Sequence, residues 1–330
     1  MLLFHFVVFC ALSESNTDLE CDDVSVTPLT FYEQREGSLK QTDTVITLND
    51  TYGITIESNA NTVLCNKMFN ITSTIEILLF SAGNITQIET KFLENVDVTR
   101  YIILVNNNIK TIKKHTFNNL PVANILLTYD SITVIENEAF MDLINLKMLD
   151  LNQNCITHFN PHAFVRLPSL FHFIISSNNI SKLEKNCLSF IEQNNTFIDF
   201  SRNNIVSIDN EALNGAPFYI NELDLFGNQL HDLSWRFLGN HIIKKINVAS
   251  NQINDISDEF LEESFGTEFL IIDLETLSND SLIKVANFCM KKSNNPTDLI
   301  VKLWSCWYES LLPLPSTNYL TDIKLATENE

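Results

Sequence analysis

The sequence predicts an α/β solenoid, a horseshoe with a parallel concave β-sheet and short helical or irregular convex segments. Three observations carry that expectation. An aliphatic position recurs at Ile85, Ile109, Ile132, Ile156, Ile180, Ile205, Leu230 and Ile253, at separations of 24, 23, 24, 24, 25, 25 and 23 residues. The residue three further on is apolar every time: Ile88, Ile112, Ile135, Phe159, Leu183, Ile208, Leu233 and Ile256. Two residues before the recurring position stands a turn asparagine, at Asn107, Asn154, Asn178, Asn203, Asn228 and Asn251, with Gly83 and Asp130 in its place in the other two copies. Units this short cannot bury their own apolar residues, and stacking them closes one continuous core. The asparagines are expected inside it, bonded to the backbone of neighbouring turns.

The clearest copy is Leu146–Leu167, LKMLDLNQNCITHFNPHAFVRL. Leu146, Leu149 and Leu151 set a short strand, Asn154 takes the turn, and Ile156, Phe159, Phe164 and Leu167 lead back along the return segment. A fainter copy with Ile54, Ile56, Asn59, Leu64 and Phe69 in phase comes first, so residues 51–264 hold one degenerate and eight clear repeats. This template resembles that of leucine-rich-repeat proteins. The 24-residue period with its late phenylalanine is similar to the extracellular members, which include Toll-type receptor ectodomains and secreted arthropod proteins. The resemblance implies a concave face that recognises another protein, sometimes a lipid or glycan.

The flanks are read from composition. Met1–Leu12, MLLFHFVVFCAL, is a short apolar run, and residues 1–13 are expected to be a secretory signal peptide cleaved near Ser13; the other reading is a buried first strand. The run is shorter than the roughly 20 residues of a membrane span, and no membrane insertion is expected. Residues 14–50 are expected to cap the open end of the solenoid, with Val24, Val26, Leu29 and Phe31 supplying an edge strand. After Ile256 the repeat decays. Phe269–Leu274 still offers a strand, Asp280–Lys292 reads as a helix that Pro296 follows, and residues 265–312 are assigned to a C-terminal cap before a flexible tail, 313–330.

Six cysteines remain beyond the signal peptide, an even number that favours disulfides in a secreted chain. Cys21–Cys65 in the first cap and Cys289–Cys306 in the second are the expected pairs, although the resembled family carries denser cysteine clusters in its caps. Cys155 and Cys187 occupy different phases of the repeat and read as free thiols, or as links to a partner chain. Asn49, Asn70, Asn84, Asn179, Asn194 and Asn279 each open an Asn-X-Ser/Thr sequon and are candidate glycosylation sites.

Catalytic signals are poor. His158 and His162 have the four-residue spacing of metal ligands, but Asn160 and Pro161 between them forbid a regular helix, so no metal site and no cofactor are expected. The chain has only 7 glycines, with no phosphate-cradling loop and no nucleophile elbow, and it reads as a non-enzyme. A net charge of −20 argues against nucleic acid and anionic membranes, and favours a basic partner over an acidic one.

The open face carries what functional information there is. Positions between the core leucines hold Ile77, Leu79, Tyr101, Ile103, Val105, Leu126 and Tyr129 in the first three clear repeats. Met148 and Ile174 continue the apolar character, and Phe197 and Phe226 restore it later. Adjacent parallel strands lie about 4.8 Å apart, so Leu79, Ile103 and Leu126 are expected to form one ridge. Two readings stay open for it: a surface for a protein partner, or for a second copy in a homodimer, against an apolar strip covered by a cap, a glycan or a shifted register. Beyond the ridge the face turns acidic at Asp150, Asp199, Glu222 and Asp224, with Arg202 beside them. The expectation is a secreted protein that binds another extracellular protein, either a basic one or a receptor of similar repeats, in innate immunity or as a receptor decoy. The alternative is an adhesion or structural protein that self-associates through the ridge.

Overall fold

A computed structural model describes residues 30–35, 38–43, 53–57, 62–65, 74–81, 85–94, 96–233, 235–263, 267, 269–292 and 302–303. Val24, Val26 and Leu29 lie outside these residues, as do the signal segment and the tail.

Among the described residues, thirteen strands form one sheet. Thr30–Arg35 pairs antiparallel with Ser38–Asp43 on one side and with Gly53–Glu57 on the other. From Gly53–Glu57 onward every neighbour is parallel and each repeat contributes one strand: Ile75–Ser81, Val98–Val105, Asn124–Thr128, Met148–Asp150, His172–Ile174, Thr196–Asp199, Tyr219–Asp224, Ile242–Asn247 and Phe269–Ile272, with Lys302–Leu303 added last. The antiparallel hairpin occupies the edge that the first parallel strand would otherwise leave open. Short two- and three-residue bridges, such as Phe117–Asn118 with Phe140–Met141 and Phe164–Val165, line up the return segments behind.

The asparagine ladder ties one turn to the next. Oδ1 of Asn154 accepts from the Ile132 amide at 3.1 Å, while its Nδ2 donates to the carbonyls of Leu127 and Leu151. Asn178, Asn203, Asn228 and Asn251 repeat the arrangement with Ile156, Ile180, Ile205 and Leu230. All five are buried, and an amide is the one side chain here that satisfies both an orphan N–H and orphan carbonyls at once.

A second ladder runs through the apolar core. Phe92, Phe117, Phe140 and Phe164 occupy the same phase; Phe117 and Phe140 stack at 5.1 Å, and Phe140 and Phe164 at 5.5 Å. The next two positions hold the smaller Leu188 and Leu213. There Phe159, Phe173, Phe190 and Phe200 crowd in, with Phe190 4.7 Å from Phe164 and Phe200 5.2 Å from Phe159. Phe237 and Phe260 then resume the series, and both are buried.

At the far end the helix Asn279–Lys292 begins one residue before the predicted start. The Ser278 hydroxyl accepts from the Ser281 amide, an N-cap interaction. The Ser281 hydroxyl, itself buried, accepts from the Ile256 amide at 3.0 Å and fastens the helix to the last regular repeat. A short helix, Asp258–Glu263, precedes it on the return side of the last regular repeat.

Cys155 corrects an expectation: it is disulfide-bonded, as is Cys65, whereas Cys187 is a buried free thiol. The phase of Cys155 in the repeat argues against a bond to Cys187, and Cys187 is indeed unbonded. Cys21 and Cys306 lie outside the described residues, as does the side chain of Cys289.

Candidate partner-binding face

Strand register brings the open-face residues into rows that cross the sheet. One row runs Leu79, Ile103, Leu126, Asp150, Ile174, Asp199, Asp224 and Asn247. A second, two residues earlier on most strands, runs Ile77, Tyr101, Asn124, Met148, His172, Phe197, Glu222 and Lys245. The first three members of the first row are therefore direct neighbours.

The ridge is less open than alternation alone implies. Ile103 is 3 % exposed and Leu126 7 %, although neither belongs to the core cluster behind the sheet. Each stands between flanking side chains about 4.8 Å away on either side, and concave curvature narrows the space above them. Ile77, Leu79, Tyr101 and Val105 are half-buried. Tyr129 is not on a strand: it follows Thr128 in a left-handed conformation, φ 58°, and is 36 % exposed. The face thus offers an apolar floor at Ile103 and Leu126 with accessible walls around it.

The acidic members also differ from freely solvated carboxylates. Asp150 is 4 % exposed, and its Oδ1 accepts from the Asn152 amide at 2.9 Å. Asp199 takes the Ser201 amide and Asp224 the Phe226 amide in the same way, both at 2.8 Å. These acids thus close the turn after each strand, as Asn247 does for Ala249. Burial pushes Asp150 up to about 7, with the charge of Asp199 adding to the effect and the Asn152 amide opposing it. Burial, then Asp199, pushes Asp224 up to about 6. Glu222 pairs with Lys245 at 2.5 Å, and Arg202 lies past the strand end with its guanidinium 5.5 Å from the Phe226 ring.

Beside Phe197, already placed on the open face from the sequence, stand further rings at Phe171, His172, Phe218 and Tyr219. Phe171, His172 and Phe197 form a pile with centroid separations of 4.4 and 4.7 Å, and burial lowers the His172 pKa. Phe218 and Tyr219, consecutive just as their strand begins, meet edge to face at 4.7 Å and are each 48 % exposed. The adjacent pair of aromatics at a strand start was the available signal.

Three sequon asparagines are exposed, Asn179, Asn194 and Asn279. Asn49, Asn70 and Asn84 lie outside the described residues. His158 and His162 line separate clefts of about 470 and 420 Å³ on the return side. No group of three potential metal ligands occurs among the described residues. No helix among them is long and apolar enough to cross a membrane.

Comparison with known proteins agrees with the architecture. Residues 121–180 match the leucine rich repeat family. Lumican from Coturnix japonica is 27 % identical over 190 residues, covering 56 % of this chain and 52 % of lumican, and lumican from Gallus gallus matches equally. The chain spans about half the length of these relatives. Among solved structures, Toll in the Drosophila Toll–Spatzle complex superposes with a TM-score of 0.60 at 16 % identity, over 67 % of this chain and 30 % of Toll. The APL1 leucine-rich repeat domain superposes with a TM-score of 0.50 at 18 % identity, over 70 % and 56 % of the two chains. With its repeating strand, turn asparagine and return segment in register along one parallel sheet, the chain has the fold of a leucine-rich-repeat solenoid, and residues 121–180 carry that family's repeat.

Proposed function

We propose that this protein is a secreted, non-enzymatic recognition protein that binds another extracellular protein through its concave face. The observation that carries the reading is the single cross-strand row in which apolar Leu79, Ile103 and Leu126 adjoin acidic Asp150, Asp199 and Asp224. An apolar floor beside a strip of negative charge suits a partner segment that carries aliphatic or aromatic side chains followed by a basic one. Tyr101 and Tyr129 at the margin supply the rigid amphipathic contacts common at interfaces. The likeness to Toll, solved with the protein Spatzle in a hub of development and innate immunity, supports an immune setting, and lumican supports an extracellular one. Self-association through the same ridge is weakened by the enclosure of Ile103 and Leu126, which leaves little apolar area free.

The test is crosslinking of the secreted chain to its partners, identified by mass, for wild type and for a Leu79→Asp, Tyr129→Ser double variant. Both positions are accessible and neither is in the core. The variant is expected to keep its circular dichroism spectrum and to lose partner capture by at least tenfold. Unchanged capture refutes the concave-face assignment. Light scattering that shows a dimer at micromolar concentration, abolished by the same variant, favours the adhesion reading instead.

A further inference from the structure

Phe218 and Tyr219 form an exposed aromatic pair that the concave-face reading does not use, and such pairs are seldom left bare on a soluble surface. The neighbouring repeat places a sequon against it. Oδ1 of Asn194 accepts from the Tyr219 amide at 3.1 Å, and the Asn195 amide donates to the Tyr219 carbonyl at 2.8 Å. Asn194 and Asn195 are thus clipped to both backbone groups of Tyr219. Asn195 achieves this in a left-handed conformation, φ 61°. The clip uses only the oxygen of the Asn194 side chain. Its Nδ2, the atom that carries an N-linked sugar, makes no hydrogen bond among the described residues, and Asn194 is exposed.

We propose that Asn194 bears an N-linked glycan whose first sugar residues lie over Phe218 and Tyr219 and seal this edge of the concave sheet. The proposal rests on the secretory reading above. In the attachment step, Nδ2 bonds to the anomeric carbon of a lipid-linked oligosaccharide diphosphate. The carbon–oxygen bond to the diphosphate breaks, the lipid diphosphate leaves, and the amide proton passes to a base of the transferase. The carbon–hydrogen face of a pyranose is apolar and slightly positive, which matches the negative face of an aromatic ring. Two rings set at 88° present one face and one edge, a corner that a sugar can occupy.

Timing follows from the same geometry. The Thr196 side chain completes the sequon, yet it is fully buried and its hydroxyl donates to the Gln193 carbonyl. The transferase cannot reach it in the folded repeat, so the sugar joins before this repeat closes. Asn279 has the same constraint at buried Ser281, but among the described residues no exposed aromatic pair is hydrogen-bonded to it.

The experiment expresses the full chain in a secretory eukaryotic host and measures site occupancy by glycopeptide mass. A form with the other five sequon asparagines changed to Gln is then compared before and after enzymatic glycan removal, which leaves the Asn194 side-chain oxygen in place. Occupancy at Asn194 is expected, with binding of an apolar fluorescent dye rising at least twofold on glycan removal. That rise is expected to vanish in a Phe218→Ser, Tyr219→Ser background. Occupied Asn194 with unchanged dye binding overturns the proposal, as does a rise that persists in the Ser background. Empty Asn194 beside occupied Asn179 or Asn279 overturns it while leaving secretion intact. A chain that is retained in the cell and bears no sugar at any sequon sinks both readings.

Discussion

The amide of Asn107 donates to Oδ1 of Asp130 at 2.7 Å, and the remaining oxygens of the two side chains, Asn107 Oδ1 and Asp130 Oδ2, are buried with no hydrogen-bond partner. Asp130 stands where six other repeats hold an asparagine whose Nδ2 donates to backbone carbonyl oxygen. A carboxylate has no proton to give them. Burial accordingly pushes Asp130 up to about 8, although the Asn107 amide pulls the other way.

Stability is therefore expected to fall as pH rises. Native Asp130 holds a proton that the unfolded chain releases near its ordinary value of 3.8, so the native state binds more protons across the interval up to about 8. The slope from this group alone is about 1.4 kcal/mol lost per pH unit, and Asp150 and Asp224 act in the same direction at lower pH. Asp130→Asn restores the ladder amide. It is expected to gain about 1–3 kcal/mol at pH 8 and to flatten the dependence between pH 6 and 8 in urea melts. An unchanged slope refutes the protonated carboxyl.

Asn203 serves the opposite test. Its Oδ1 accepts from Ile180 and its Nδ2 donates to Ile175 and Phe200, so Asn203→Ala strands an amide and two carbonyls. A loss of about 2–4 kcal/mol is expected in chemical unfolding, well above the cost of an exposed Asn204→Ala change.

Phe140 lies in the middle of the ring ladder, stacked on both sides. Phe140→Ala is expected to cost about 3–5 kcal/mol, from lost burial plus the cavity left behind. Because repeats contact mainly their neighbours, hydrogen exchange is expected to rise first in the flanking turns and only later at the helix Asn279–Lys292.

Cys187 is enclosed, and burial pushes its thiol up to about 12, so it is neither accessible nor ionised at neutral pH. Alkylation of the native, unreduced protein is expected to leave Cys187 unmodified over hours, and denaturant is expected to expose it at once. Modification at a rate near that of a free thiol contradicts its placement.

Binding of a basic partner is expected to weaken in acid. Asp224 and Asp150 lose their charge as pH falls through about 6 and 7, so less negative potential remains on the row they share with Asp199. Affinity measured at pH 5.5 is expected to be several-fold below that at pH 7.5, and Asp224→Asn is expected to reduce the difference. An affinity independent of pH argues that the acids only close their turns.

The sequence by itself determined the solenoid. Ile85 through Ile253 keep one phase because every turn must return to the same core position, and the turn asparagines mark where backbone groups would otherwise go unpaired. The start of the helix at Asn279 was legible to one residue because Ser278, Asp280 and Ser281 are local signals. Adjacency of Leu79, Ile103 and Leu126 followed from the period alone. The tertiary structure decided how much of each is exposed. Ile103, Leu126 and Asp150 are enclosed although they lie on the open side of the sheet, each with a row neighbour on both adjoining strands. The contact between Asn194 and Tyr219 depends on the register shift between Thr196 and Phe197, which no single repeat reveals. Asp130 reads as a tolerated variant of the turn position until the carbonyl-rich ladder around it is in place. Spacing along the chain sets which residues share a row; curvature, register and desolvation across turns set what that row presents.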